Sequence, residues 1–147
     1  MPQTQVIAPI ELIVNRTFQA PIEKVFRAWT DPNALDRWFS PTDDVTISSS
    51  VDLRVGGAYR IEIIKSDGTS FLTSGTYLEV QPPHRLAFTW SGGCKLDGHD
   101  TLVTIEFYSI GNATQVTLTH QNFSSDDSRN KHEHGWNGCL DRLAKIL

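Results

Sequence analysis

No apolar run in this chain approaches the ~20 residues that a membrane-crossing helix requires, so nothing in it reads as a membrane span. Basic clusters are missing as well. Lys and Arg number 13 against 17 Asp and Glu, for a formal net charge of −4, whereas neutralising a phosphate backbone needs concentrated Lys and Arg. Nucleic acid is therefore not the expected partner. Cysteine is scarce, with Cys94 in a glycine-rich stretch and Cys139 near the end. The opening residues lack the basic flank and apolar core of a signal peptide, so a cytoplasmic location is expected, where thiols stay reduced and both cysteines read as free. There is no Gly-x-Ser-x-Gly elbow, phosphate loop or dinucleotide fingerprint, which removes the sequence signals for acyl transfer and for nucleotide cofactors. Repeats, low-complexity tracts and linkers are absent too, so the 147 residues are expected to form a single domain.

What is present organises itself around the last stretch, Ser125 to Leu147, the one long amphipathic helix the sequence predicts. Trp136, Leu140, Leu143 and Leu147 recur at steps of three and four and so fall on one stripe. Ser124, Ser125, Asp126 and Asp127 supply oxygens and negative charge where a helix has free N–H groups and a positive dipole end. In the first half of this helix His132, Trp136 and Cys139 share a face, offering polar or polarizable groups in place of aliphatic ones.

The remaining chain reads as strand, two short helices, then six strands. Residues 10–19 form the first strand, with Leu12, Val14 and Phe18 on one face. Pro21 suits the first turn of a helix whose inward residues are Val25, Phe26 and Trp29. Asp31-Pro32 opens a second, with Asp31 as N-cap and Leu35, Trp38 and Phe39 inward, before Ser40-Pro41 stops it. Strands are then expected at Val45 to Val51, Ala58 to Lys65, Phe71 to Val80, Arg85 to Trp90, Leu102 to Ser109 and Thr114 to Gln121. Gly56-Gly57, Asp67-Gly68, Pro82-Pro83, Ser91-Gly92-Gly93 and Gly111-Asn112 separate them. Short connections imply antiparallel pairing. Alternation assigns Tyr59, Ile61, Ile63, Leu86, Phe88, Trp90, Val103, Ile105, Phe107, Val116, Leu118 and His120 to a concave dry face, with Arg60, Glu62, Glu106, Thr117 and Thr119 toward water. The class is α+β: a curved antiparallel sheet wrapped around a long C-terminal helix, an arrangement that readily encloses a cavity.

Several local sequences carry a resemblance: Arg16-Thr17-Phe18-Gln19-Ala20-Pro21, Val25-Phe26-Arg27-Ala28-Trp29-Thr30-Asp31-Pro32, Arg37-Trp38-Phe39-Ser40-Pro41, Arg54-Val55-Gly56-Gly57-Ala58-Tyr59, the Gly75 to Pro83 segment, and Gly135-Trp136 with Leu140 and Leu143. Together, and in this order, the chain resembles proteins similar to the activator of heat-shock-protein ATPase, within the START-like (SRPBCC) superfamily of helix-grip folds that also holds pollen allergens and polyketide cyclases. The resemblance implies a helix-grip fold with an internal cavity. The activities associated with it range from ligand binding and stress responses to a chaperone partner, so function has to come from the site.

The site candidates are Trp38, Tyr59, Trp90, His120, His132, Trp136 and Cys139, all placed to project toward one interior. Aromatic walls with a few polar handles suit a mostly apolar small molecule, the rings supplying area and imidazole or phenol fixing orientation; large rings also simply fill cores. Residues two apart on a helix point about 200° away from each other, so His132 and His134 cannot chelate one ion. His120, His132 and Cys139 are zinc-type ligands without paired spacing, and no metal or cofactor is expected. Cys139 and His132 lie about 10 Å apart along a helix axis, too far for a nucleophile–base pair. Two readings follow: a binding protein for a small hydrophobic or aromatic molecule held between the C-terminal helix and the sheet, or an interaction module for a chaperone or other protein. A cyclase-like enzyme using a cavity His or Tyr for acid–base work is a variant of the first. A monomer or a homodimer through a sheet edge fits either.

Overall fold

The computed structural model describes residues 10–91 and 99–147. Cys94 and the Gly92-Gly93 turn lie outside the described residues. The elements run β1 (Ile10–Phe18), α1 (Ile22–Thr30), α2 (Pro32–Trp38), β2 (Val45–Val51), β3 (Ala58–Lys65), β4 (Ser70–Gln81), β5 (Arg85–Trp90), β6 (Thr101–Ile110), β7 (Ala113–Phe123) and α3 (Asp126–Ile146). Every expected element is present, and β4, β6 and β7 are longer than the alternation alone implied. Side-chain caps set two helix starts as expected: the Asp31 carboxylate accepts from the Asn33 N–H, and the Ser125 hydroxyl accepts from the Ser128 N–H. Pro21 occupies the N-cap of α1, one position earlier than its expected place in the first turn.

The seven strands form one antiparallel sheet in the order β1-β7-β6-β5-β4-β3-β2. The sheet is curved and unclosed. β1 and β2 thus sit at opposite edges although they are neighbours among the strands in sequence, and α1 and α2 carry the chain across between them. α1 packs on β6 and β7, and α2 on β2 and on α3. Leu12, His120, Val103, Phe88 and Tyr77 are cross-strand partners in sequence across five strands, and Val14, Leu118, Ile105 and Leu86 form the adjacent row. Both rows belong to the core and its margin, buried apart from the partly exposed Val14. On the outer face Arg85 reaches Glu79 at 2.8 Å and Glu106 at 3.1 Å, tying β4, β5 and β6; such partly exposed pairs set register more than stability.

α3 buries Ser128, Trp136, Cys139, Leu140 and Leu143. Full burial of a leucine contributes roughly 1.5–3 kcal/mol, so Leu140 and Leu143 anchor the second half of the helix. Its flanks are pinned at both sides: Arg16 of β1 reaches the Asn137 Oδ1 at 3.2 Å and Asp141 at 2.8 Å, Arg129 donates to the Glu11 carbonyl at 2.7 Å, and Arg142 pairs with Asp43. Gly138 lets the helix approach the segment after α2, because a Cβ there would lie 2.6 Å from the Pro41 carbonyl oxygen.

Candidate functional site

The four tryptophans converge. Trp29 of α1 stacks edge-on against Trp38 of α2 at 4.8 Å and lies 5.9 Å from Trp136 of α3, which in turn lies 5.1 Å from Trp90 of β5. Phe39 completes the group at 5.2 Å from Trp38, 5.7 Å from Trp136 and 6.1 Å from Trp90. Elements distant in sequence deliver these rings because α1 and α2 cross the concave face while α3 lies along it.

Next to them stands a polar group of four. His120 is fully buried, and its ring sits 5.4 Å from Trp90, 5.0 Å from His132 and 4.4 Å from Phe123. The Trp136 indole N–H donates to His120 Nδ1 at 3.0 Å. An indole can only donate, so Nδ1 is the lone-pair nitrogen and Nε2 carries the proton. Nε2 then donates to the Thr101 hydroxyl at 2.7 Å, which donates onward to the Trp90 carbonyl at 3.3 Å. His132 Nδ1 donates to the Ser128 carbonyl one turn back, at 2.8 Å.

The seven residues singled out from the sequence therefore divide. Trp90, His120, His132 and Trp136 meet in one cluster. Tyr59 borders a cavity on the other side of Trp90, its hydroxyl donating to the Thr89 carbonyl at 2.6 Å. Trp38 is fully buried, with its indole N–H on the Ala28 carbonyl at 2.8 Å, and Cys139 is core. Burial first, then the neighbouring Tyr77 and Asp100, push the Tyr59 phenol well above its ordinary 10.0. With its proton spent on Thr89 and ionisation suppressed, Tyr59 is poorly suited to acid–base chemistry, and both nitrogens of His120 are committed to hydrogen bonds. Among the described residues, no three His, Cys, Asp or Glu side chains gather as a metal site.

Cys139 offers no thiolate either: burial pushes its thiol from the ordinary 9.0 up to about 12, so nucleophilic use is disfavoured. The folded state favours the neutral thiol, while in the unfolded chain it ionises from about pH 9. Its contribution to stability is therefore full below pH 9 and lost as pH rises toward 12, with a slope of roughly 1.4 kcal/mol per pH unit. Urea midpoints measured from pH 8 upward should fall more steeply in the parent than in Cys139→Ala; parallel curves would contradict this.

The cavity measures about 20 Å³ and is lined by Trp29, Leu35, Phe39, Tyr59, Ile61, Phe88 and Trp90. It lies between α1–α2 and strands β3 and β5. Trp136 of α3 packs against three of its lining residues, Trp29, Phe39 and Trp90. As a void it holds about one water. Six of its lining residues are buried and Trp90 is partly exposed, which puts Trp90 at the mouth. The sequence reading missed Trp29, Phe39 and Phe88 as site residues although it placed each on an inward face; a core position and a cavity wall give the same periodic signal.

Comparison with known proteins agrees with this architecture. The solved structure of a protein from Chromobacterium violaceum is 27% identical, covering 95% of this chain and 98% of that one with a TM-score of 0.79. An AHSA1-like protein from Aeromonas hydrophila is 28% identical over 92% of this chain and 90% of its own, with a TM-score of 0.78. The AHSA1 protein of Silicibacter pomeroyi is 25% identical, with 94% and 97% covered and a TM-score of 0.80. No curated protein matches the chain. The family model described as Activator of Hsp90 ATPase homolog 1-like protein matches residues 19–147, from the end of β1 through α3, and the chain belongs to that family.

Proposed function

We propose that this protein binds an apolar or aromatic small molecule in the aromatic-walled interior between the helices and the concave sheet. The observation that carries the reading is the state of Trp90. It stands at the mouth of the cavity, and its indole N–H has no hydrogen-bond partner among the described residues. Trp38 and Trp136 are tethered by their indole N–H groups, but swinging Trp90 outward breaks no side-chain hydrogen bond. A ring of this size covers about 150–250 Å² of surface, so its displacement makes room for a ligand far larger than the void alone admits. His132, 6.3 Å from Trp90 and partly exposed, orients the ligand at that mouth.

Tryptophan fluorescence titration with flavonoids, lipids and polyketide-like aromatics, following native mass spectrometry of the protein as purified, tests this. Saturable quenching that weakens several-fold in His132→Ala is the expected outcome. No bound mass and no response to any compound would sink the reading. A second reading, docking of a protein partner, draws on exposed apolar groups. The Gly56 N–H to Tyr77 carbonyl bond of 2.8 Å holds the β2–β3 connection against β4, so Leu53 and Val55 come to the same region as Leu78, and all three are exposed.

A further inference from the structure

The two edges of the sheet differ in how they are protected. β1 carries Glu11 and Arg16, its register slips between Ile10 and Glu11, and α3 reaches over to it, Arg129 donating to the Glu11 carbonyl and Asp141 pairing with Arg16. Charge, a bulge and a covering side chain are devices that keep an edge from pairing. β2 has none of them. Its seven residues include no charged residue, proline or glycine, and its register with β3 runs without a slip. One step beyond the Val51–Tyr59 pair, the Asp52 N–H donates to the Ala58 carbonyl at 2.9 Å. Hydrogen-bonded pairs alternate along an antiparallel ladder, so Thr46, Ser48 and Ser50 bond to β3, while the N–H and C=O groups of Val45, Ile47, Ser49 and Val51 point away from the sheet. Among the described residues none of these outward groups has a protein partner.

We propose that β2 is the interface for a second copy of this chain, pairing antiparallel with itself across a two-fold axis at Ser49. In that register Ser49 faces Ser49 of the second copy, Ile47 faces Val51, and Val45 faces Leu53. Every outward residue thus meets an outward residue and exchanges two main-chain bonds with it, about six within the strand. On the convex face Ser48 lies opposite Ser50 and Thr46 opposite Asp52. The ends are complementary in charge: Asp44 of one copy stands opposite Arg54 of the other, and both are exposed in the single copy. An axis at Ser48 would instead set Asp44 against Asp52, a like-charge pair. Leu53, 39% exposed, gains an apolar neighbour in Val45 of the second copy. The edge is already held in place, since Ser49 Oγ donates to Asp36 of α2 at 2.6 Å, which leaves little ordering to be done on association. A two-fold contact closes on itself, and the edges left over are the two protected β1 strands, so growth stops at two copies. None of this depends on the small-molecule reading.

The test uses the full chain. Sedimentation velocity from micromolar to near-millimolar protein is expected to show the mass rising from 16.5 kDa toward twice that value. Amide hydrogen exchange followed by NMR at the two ends of that range reads the edge directly. The amides of Ile47, Ser49 and Val51 should slow by about tenfold or more at high concentration, and those of Thr46, Ser48 and Ser50, bonded to β3 in either state, by far less. Ser48→Lys with Ser50→Lys sets like charges opposite each other in this register and should keep the chain monomeric, as should Ser48→Glu with Ser50→Glu. Both positions are exposed, so the fold should tolerate either pair; mixed one to one, the two double variants should dimerise again. A monomer at every concentration, or a dimer whose slowed amides lie away from β2, would overturn the proposal. Dimers that persist in each charged variant alone, or a mixture that stays monomeric, would overturn the Ser49 register.

Discussion

Replacing His120 with alanine is expected to lower the unfolding free energy by about 3–5 kcal/mol, a large share of the 5–15 kcal/mol that stabilises a domain of ordinary size. The ring is fully buried between Trp90, Phe123, His132 and Trp136. Its removal opens a void and orphans the Trp136 N–H, which loses its acceptor, while the Thr101 hydroxyl loses one partner and keeps its bond to the Trp90 carbonyl. His120→Phe separates the two contributions, because it fills the volume and leaves the Trp136 N–H unpaired at roughly 1–3 kcal/mol. In a double-mutant cycle, adding Trp136→Phe to His120→Phe should cost less than Trp136→Phe alone, since the donor then disappears with its acceptor. Urea denaturation of the four species reads this directly. Strict additivity would mean that the bond contributes nothing and that the ring is packing only.

The second large effect is expected at Gly75 on β4. Its neighbour across β3 is Tyr59, whose side chain passes over the glycine to bond the Thr89 carbonyl on β5. A Cβ at position 75 would lie 1.9 Å from that carbonyl oxygen and 2.8 Å from the Tyr59 ring. Backbone cannot swing aside as a side-chain tip can, so Gly75→Ala must part β4 from β5. The paired Ser74–Ser91 backbone bonds and the Thr76 N–H to Thr89 Oγ1 bond would go with it. The expected loss is about 3 kcal/mol or more, at the upper end for overpacking. Tyr59→Phe, which keeps the ring over the glycine and deletes only its hydroxyl, should cost about 1 kcal/mol. Thermal unfolding that shows Gly75→Ala no less stable than Tyr59→Phe would refute the close-approach argument. Because Tyr59 and Phe88 both wall the cavity, the same substitution should also weaken whatever binds there.

Much of the architecture is written in short-range chemistry. Asp31 before Pro32 and Ser125 before a polar first turn cap helices whatever lies around them, because the cap satisfies N–H groups two or three residues away. Strict alternation in Val103, Ile105 and Phe107 or in Val116, Leu118 and His120 assigns a face, because a strand has a period of two and one face of this sheet is dry. The burial of Trp136, Leu140 and Leu143 likewise follows from helical spacing alone.

Periodicity says that a side chain points inward and stops there. It gives the same signal for Trp38, held on the Ala28 carbonyl in the core, as for Trp90, held by no side-chain bond at a cavity mouth. His132, Trp136 and Cys139 share a helical face in sequence, yet Trp136 packs against Trp90 and Cys139 takes its place in the core with a thiol that burial keeps protonated. By itself, then, the sequence determined the elements, their order, the dry face and the family. Only the tertiary structure decided which inward side chains meet, which of their polar atoms find partners, and where space remains. Those outcomes depend on how α1, α2 and α3 pack together over one curved sheet, and contacts between residues as far apart as Trp29 and Trp136 leave no trace in local spacing.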